Sequence, residues 1–218
     1  MDQLLQEIIN WIKRTDKKIV IGISGHGAAG KTTFSNKLVN LLEHKELNYI
    51  NTDPYIVSSN IRKHSIIDYT YQNEQHSNKF TACHPSAHHL PSLERDVRMV
   101  KSGLDLYTID TGYLKSTLIS SGNKVTIVEG MSVAFIDLNL FDLKVYFYTD
   151  GKTELMRRSE RDIAERGAVI SYLMQSHEER RIQYELFMHP YSQLFDIIIK
   201  TSKEAVCIEK NTFEFTCE

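Results

Sequence analysis

Residues 21–34 read IGISGHGAAGKTTF, an apolar run that gives way to small residues and then to a lysine and two threonines. The apolar residues at 18–24 predict a buried strand, and the residues after Lys31 have the spacing of a helix. Between the two elements, five of the six residues at 25–30 are glycine or alanine. Small side chains leave backbone N–H groups uncovered beside a cation, so the stretch predicts a turn that binds an anion.

The turn matches a phosphate-binding pattern. Residues 25–32 fit G-x-x-x-x-G-K-[ST], the P-loop, in which backbone N–H groups and the start of a helix surround phosphate groups. Lys31 is placed to reach the outer phosphates, and the Thr32 hydroxyl is placed to bind Mg²⁺. The alternative is a glycine-rich turn that only connects a strand to a helix. The predicted nucleotide-binding residues are Gly25, His26, Gly27, Ala28, Ala29, Gly30, Lys31, Thr32 and Thr33.

Short apolar runs alternate with longer amphipathic stretches along the chain, which is typical of a parallel sheet covered by helices. The predicted strands are 18–24, 48–52, 125–130, 144–149 and 195–200, and the predicted helices are 31–46, 90–102, 152–166 and 171–188. With 218 residues, 41% of them hydrophobic, the chain can bury one core. We therefore predict one domain over 1–218, with an N-terminal helix at 1–16 and a long loop at 56–82. The last 18 residues predict either an edge strand or a hairpin.

The charge pattern argues against a nucleic-acid partner. The formal net charge is −2, and basic and acidic residues are interspersed, so no basic face is offered to a phosphate backbone. No apolar run is long enough to span a membrane. Cys83, Cys207 and Cys217 form an odd set without metal-site spacing, which favours a reducing, cytoplasmic location. The sequence leaves the oligomeric state open.

Two carboxylates follow predicted strands. Asp53 lies in Asn-Thr-Asp-Pro-Tyr at 51–55, and Glu129 ends the strand at 125–130. The carboxyl ends of parallel strands meet at one edge of a sheet, so both side chains should lie beside the phosphate loop. There Asp53 can accept a proton from an attacking hydroxyl, and Glu129 can order Mg²⁺ or its waters. The alternatives are an Asp-Pro turn for Asp53 and a solvated loop residue for Glu129.

An arginine-rich helical segment follows at TELMRRSERDIAERG, residues 153–167. Its arginines could form a cationic lid, at about 152–168, that closes over a transferring phosphate. The alternative is a plain exposed helix, because these arginines also form (i, i+4) pairs with Glu154, Asp162 and Glu165. The arginines are Arg157, Arg158, Arg161 and Arg166.

Taken together, these segments resemble the uridine kinase family and, more broadly, the phosphoribulokinase/uridine kinase group of P-loop kinases. The likeness covers most of residues 18–200. It rests on five segments, which read IGISGHGAAGKTT, TDPY, HPSAHHLPSLERDVRMVKSG, VTIVEG and RRSERDIAERG. The resemblance implies an α/β fold of the P-loop NTPase type, with a twisted parallel sheet, helices on both faces and a helical lid.

The resemblance also implies an activity: transfer of a phosphoryl group from ATP, with Mg²⁺, to a hydroxyl group of a small molecule. It implies Asp53 as the base, Thr32 and Glu129 beside Mg²⁺, and catalytic roles for the phosphate-binding side chains, which are Lys31, Arg161 and Arg166. We further predict that the acceptor site contains Asp53 with Tyr55, His84, Asp110 and Arg158.

The chain departs from nucleoside kinases of the group at the acceptor side. Cys83 precedes His84-Pro85 where those enzymes have an aspartate, and Ile109 stands where they have a tyrosine. We therefore expect uridine and cytidine to be poor substrates. A pantothenate-type or sugar-phosphate-type kinase remains an alternative, as does a nucleotide-binding regulatory protein without turnover. A GTPase is disfavoured because residues 123–126, Asn-Lys-Val-Thr, lack the final aspartate of the guanine-reading motif.

Overall fold

The computed structural model describes residues 1–42, 47–166, 170–203 and 205–215, apart from the side chains at 162–173 and 175. The helices are α1 (Asp2–Arg14), α2 (Lys31–Leu41), α3 (Ser59–Arg62), α4 (Leu90–Lys101), α5 (Gly151–Arg166) and α6 (Ile170–Phe187). The strands are β1 (Ile19–Gly25), β2 (Leu47–Asn51), β3 (Ile66–Tyr71), β4 (Glu74–Lys79), β5 (Leu106–Tyr107), β6 (Leu118–Ile119), β7 (Val125–Glu129), β8 (Leu143–Thr149), β9 (Ile197–Thr201) and β10 (Val206–Asn211).

The main sheet has the strand order β10-β9-β8-β1-β7-β2. The pairs β2–β7, β7–β1, β1–β8 and β8–β9 are parallel, as predicted, which confirms the α/β architecture. Every residue of β1 and of β7 is buried, which explains why these strands read as continuous apolar runs. At the end of the chain, β10 pairs antiparallel with β9, so the C-terminal segment is an edge strand that closes a hairpin.

Helices cover both faces of the sheet. On one face, α1 buries Leu4, Leu5, Ile8 and Ile12 in a cluster that includes Phe147 of β8. Burial of each such side chain stabilises the fold by roughly 1.5–3 kcal/mol. The opposite face is covered by α4 and by a 3₁₀ segment, Met131–Phe135. In the part of the chain that the structure describes, no helix is long and apolar enough to cross a lipid bilayer.

The segment at 56–82 is not the irregular loop that its polarity predicted. It contains α3 and an antiparallel hairpin of β3 and β4. The hairpin turns at Gln72 and Asn73, whose φ angles of 49° and 68° suit the tight two-residue turns that join antiparallel strands. Tyr69 and Tyr71 are bonded to Gln183 and Glu185 of α6 at 3.1 and 2.5 Å. Hydrogen bonds and a ring contact between Tyr69 and Phe187 therefore hold this hairpin against α6.

The position of β1 in the sheet sets the location of the site. Its neighbours, β7 and β8, lie on either side of it, and ligands of open parallel sheets bind at such a point, beyond the carboxyl ends of the strands. The last residue of β1, Gly25, has a φ of 137°, and a Cβ there would lie 1.8 Å from the Phe147 carbonyl oxygen. Only glycine lets β1 end this close to β8.

Candidate active site

The phosphate loop joins β1 to α2. Ala28 and Gly30 have φ angles of 64° and 97°, so the loop backbone passes through left-handed conformations before the helix begins. Gly30 is the N-cap of α2, and among the described side chains none caps it. The first N–H groups of a helix have no partner within the helix, and they carry its positive dipole end. This backbone fits a phosphate group.

Lys31, Thr32 and Glu129 meet at the start of α2. The Lys31 ammonium donates to the His26 carbonyl at 3.0 Å and lies 4.0 Å from a Glu129 carboxylate oxygen. The Thr32 hydroxyl donates to Glu129 at 3.3 Å, and the Tyr49 hydroxyl donates to it at 2.8 Å. Burial lowers the pKa of Lys31, whereas the charges of Glu129 and Asp53 raise it. The two carboxylates thus help to keep a buried ammonium charged.

The Thr32–Glu129 pair also fits Mg²⁺, for which hydroxyl and carboxylate oxygens are suitable ligands. Burial and the nearby Glu129 raise the pKa of the Tyr49 phenol, so it stays protonated and orients the carboxylate. Within the described residues, no group of three or more His, Cys, Asp or Glu side chains is placed to hold a metal ion. This donor set suits a cation that takes most of its ligands from water and substrate oxygens, as Mg²⁺ does.

Asp53 lies at the adjacent strand end. It follows β2, opens the short 3₁₀ turn Asp53–Tyr55 and exposes its carboxylate to the cleft in front of the phosphate loop. The ends of β2 and β7 are held together because the Thr52 N–H donates to the Glu129 carbonyl at 2.8 Å. The structure therefore brings Asp53, Glu129 and Lys31 to one edge of the sheet.

The arginines of α5 differ in the groups that they contact. Arg157, Arg158 and Arg161 all line the cleft, but Arg157 is also bonded to the protein. Arg157 donates to the Ala28 carbonyl at 3.2 Å, the Thr201 hydroxyl at 2.8 Å and the Ser202 carbonyl at 3.0 Å. It therefore fastens the base of α5 to the phosphate loop, and it lies among protein acceptors rather than in a mobile lid. The side chain of Arg166 is outside the described residues.

Sequence reasoning missed a buried network beneath this helix. Glu154, 1% exposed, accepts from Arg180 and Arg181 of α6, each at 3.1 Å. Burial alone would raise the pKa of Glu154, but His26 and the two guanidinium groups lower it to about 2. Burial lowers the pKa of His26 to about 3, so the imidazole is neutral and accepts from the Thr149 N–H at 2.9 Å. In the sequence Glu154 is one of four carboxylates among the arginines of residues 153–167, so no local signal singled it out.

Three predicted acceptor-site residues do not line the cleft. Tyr55 is fully buried and donates to Asp96 at 2.5 Å, because the 3₁₀ turn after Asp53 directs its side chain inward. His84 accepts from the Ser86 N–H and packs against Phe187. Asp110 is exposed on the loop between β5 and β6.

The two positions that depart from nucleoside kinases also lie outside the cleft lining. Cys83 is fully buried, and Ile109 packs against the core. The cleft is also lined by residues that sequence reasoning did not select. These include Val57, Ser58, Ser59, Arg62, Ala82, Thr111, Tyr113 and Arg180.

The cleft that collects these groups has a volume of about 1390 Å³ and runs from the phosphate loop, past Asp53, to α3. Its lining combines the backbone of the phosphate loop and several basic side chains with the carboxylates of Asp53 and Glu129. That arrangement can hold a polyphosphate, activate a hydroxyl and neutralise charge that develops between them.

Comparison with known proteins gives a consistent result. The family model described as the phosphoribulokinase/uridine kinase family matches residues 20–207. A uridine kinase from Lactobacillus helveticus is 30% identical over 200 residues, covering 88% of this chain and 90% of the relative. A phosphoribulokinase from Synechocystis sp. is 25% identical, covering 85% of this chain and 54% of that protein.

Solved structures agree in fold. A D-glycerate 3-kinase from Cryptococcus neoformans superposes with a TM-score of 0.61 at 11% identity, covering 95% of this chain and 98% of the other. The phosphoribulokinase from Rhodobacter spheroides gives a TM-score of 0.56 at 18% identity, covering 85% of this chain and 71% of the other. At these identities the likeness shows the fold alone.

Proposed function

Because this chain belongs to the phosphoribulokinase/uridine kinase family and is an ATP-dependent kinase that phosphorylates a hydroxyl group of a small molecule, we propose that Asp53 is its catalytic base. One observation supports this proposal above the others. The exposed Asp53 carboxylate lies at the same sheet edge as Lys31 and Glu129, and its charge raises the pKa of the Lys31 ammonium. A hydroxyl placed beside Asp53 would face the phosphates held by the loop.

The transfer would proceed in one displacement. The acceptor oxygen forms a bond to the γ-phosphorus, the bond from that phosphorus to the β–γ bridging oxygen breaks, the hydroxyl proton passes to Asp53, and ADP leaves. Lys31 and the phosphate-loop N–H groups bind the phosphates, while Arg158 and Arg161 neutralise charge on the transferring group. Thr32 and Glu129 would hold Mg²⁺, which supplies charge neutralisation when bound.

The acceptor belongs to the class of nucleosides and related small metabolites, as the uridine kinase and phosphoribulokinase relatives suggest. Uridine is a poor acceptor in this proposal, because Cys83 and Ile109 supply neither the carboxylate nor the aromatic ring expected for a nucleoside, and neither residue lines the cleft. A pantothenate-type or sugar-phosphate-type acceptor is the alternative. We place the reaction in the cytoplasm, in keeping with an odd number of cysteines and with Cys83 and Cys207 as free thiols.

The test is an ADP-release screen across nucleosides, pantothenate and phosphorylated sugars, with the parent and with Asp53→Asn. On the best acceptor, the amide variant should lower kcat by ~10²–10⁴-fold, the usual worth of a general base, with the Kd for ATP changed little. Asp16→Asn, an exposed carboxylate before β1, is the matched control and should keep parental activity. Parental turnover by Asp53→Asn would make Asp53 a turn residue. ADP release that no acceptor accelerates would favour a nucleotide-binding regulatory protein.

A further inference from the structure

Arg62 occupies the wall of the cleft that begins at Asp53. This wall runs through Ile56, Val57 and Ser59 to the end of α3, where Arg62 lies half-buried. Its guanidinium donates to the Val57 carbonyl at 2.8 Å and to the Phe80 carbonyl at 3.4 Å. Two backbone acceptors therefore fix its direction. The same cleft is thus lined by Asp53 and by Arg62.

Arg62 is not neutralised by the protein. In the part of the chain that the structure describes, its hydrogen bonds go to carbonyl oxygens and no carboxylate lies within ion-pair distance of it. Burial lowers its pKa, and the positive charge of Arg180 lowers that pKa further. The Cys83 thiol is buried nearby, but burial raises its pKa, so at neutral pH it supplies no compensating charge. A half-buried cation that faces a second cation favours an anion between them.

The lining of the cleft as a whole contains more basic than acidic side chains. The basic side chains are those of Lys31, Lys37, Arg62, Arg157, Arg158, Arg161 and Arg180, against the carboxylates of Asp53 and Glu129. Glu154, behind the lining, offsets part of the charge of Arg180. ATP with one Mg²⁺ carries about two net negative charges, which leaves the cleft positive when the donor is bound.

Arg180 lies between the two ends of the cleft. Its Nε donates to Glu154 at 3.1 Å. Its Nη2 lies so close to Gly27 of the phosphate loop that a side chain at Gly27 would place a Cβ 2.9 Å from this nitrogen. The positive charge of Arg180 lowers the pKa of Lys31 and that of Arg62. Arg180 therefore adds positive potential between the phosphate loop and Arg62.

We propose that the acceptor is an anion, a small molecule that carries a carboxylate or phosphate group, and that Arg62 binds this group while Asp53 receives the hydroxyl proton. The inference rests on the proposed kinase function and narrows its substrate class. It predicts discrimination against neutral molecules such as nucleosides, because a neutral acceptor leaves the Arg62 charge uncompensated.

The first experiment measures ADP release with matched pairs of acceptors at fixed MgATP. The pairs are pantothenate against its alcohol, pantothenol, and ribose 5-phosphate against ribose, with uridine as a neutral nucleoside. We expect an anionic member to exceed its neutral partner by about 10- to 100-fold in kcat/KM, the worth of one charge-assisted hydrogen bond. The two pairs separate a carboxylate from a phosphate. A neutral acceptor that equals or exceeds the anionic members overturns this inference and leaves the kinase function intact.

The second experiment assigns the effect to Arg62. Arg62→Ala should raise KM for the anionic acceptor by about 10- to 100-fold while KM for ATP changes far less, and Arg62→Lys should restore part of the loss. Arg98→Ala removes an exposed arginine that pairs with Glu94 and Asp137 outside the cleft, and it should change neither constant. A rise in KM for ATP of equal size would place Arg62 at the donor and overturn the inference.

A binding measurement covers the case in which no tested acceptor is phosphorylated. With the donor site filled by a non-hydrolysable ATP analogue, the parent should bind inorganic phosphate, and Arg62→Ala should weaken that binding about tenfold or more, as measured by calorimetry. Phosphate binding that is absent, or that Arg62→Ala leaves unchanged, overturns the inference. Absence of turnover with every acceptor counts separately, against the kinase function.

Discussion

The donor side and the acceptor side of the cleft are built from different parts of the protein. The donor side is mostly backbone: a glycine-rich loop and the first turn of α2, with Lys31 and Thr32 added. The acceptor side consists of side chains from separate segments, such as Arg62, Tyr113 and Arg180. Backbone geometry around a phosphate leaves little freedom, whereas side chains around an acceptor can be exchanged one at a time. The chemistry of transfer can therefore persist while the acceptor changes.

The largest effect that we expect tests the donor side. Lys31→Ala removes the cation at the outer phosphates, so MgATP binding should weaken and phosphoryl transfer should fall by about 10³-fold or more. Calorimetry with MgATP and ADP release measure the two effects. Lys17→Ala, an exposed lysine before β1, is the control and should behave as the parent. Equal ATP affinity in Lys31→Ala and the parent would contradict a role of the phosphate loop in ATP binding.

An intermediate effect is expected at the border between the two sides. Glu129→Gln keeps the shape that Tyr49 and Thr32 contact but removes the negative charge that would face Mg²⁺. We expect the Mg²⁺ concentration for half-maximal activity to rise by about tenfold, with part of the rate recovered at high Mg²⁺. Titration of free Mg²⁺ at constant ATP measures this. Glu94→Gln on α4 is the matched control, and an unchanged Mg²⁺ requirement would contradict the role of Glu129.

The smallest effect that we expect is a loss of folding stability at low pH. Two histidines are buried and have depressed pKa values: burial lowers the pKa of His26, in the phosphate loop, to about 3 and that of His88 to about 4. His88 is bonded to Ser132 and Ala82, each at 2.8 Å. The unfolded chain takes up these protons near pH 6.5 and the folded chain does not. Stability is therefore complete above about pH 6.5 and falls below it, by up to about 1.4 kcal/mol per pH unit for each histidine.

Urea unfolding at pH 7, 6 and 5 measures this loss in the parent, His26→Gln and His88→Gln. Each substitution should lower the slope of unfolding free energy against pH by up to the equivalent of one proton, and the larger change identifies the histidine that contributes more to the loss of stability in acid. The exposed His64→Gln is the control and should keep the parental slope. A parental slope in both buried-site variants would show that neither histidine controls the acid response.

The sequence predicts the sheet well and the polar hairpin poorly, for a physical reason. Strands such as β1 and β7 are buried on both faces, so their apolar runs are visible without any knowledge of their neighbours. The β3–β4 hairpin is polar, and its partners lie on α6, more than 100 residues later. Its local signal was the turn at Gln72-Asn73, flanked by alternating side chains.

The same reason separates the two sides of the site. The donor loop requires glycines at fixed places, so composition and spacing reveal it. Tyr55 follows Asp53 closely in the chain, yet one 3₁₀ turn sends its side chain into the core. Arg62 and Arg180 reach the cleft from segments with no motif. Adjacency in sequence to a catalytic residue does not predict which side chains an acceptor touches.

The attachment of the phosphate loop to the C-terminal strand limits how the protein can be divided. Thr201, at the end of β9, donates to the Ala29 carbonyl at 3.0 Å and accepts from Arg157, which also donates to the Ala28 carbonyl. A fragment with the motif and its two flanking elements would leave these two carbonyl groups without their protein donors. A fragment that keeps these contacts therefore extends to residue 201, and a peptide taken from the motif alone lacks them.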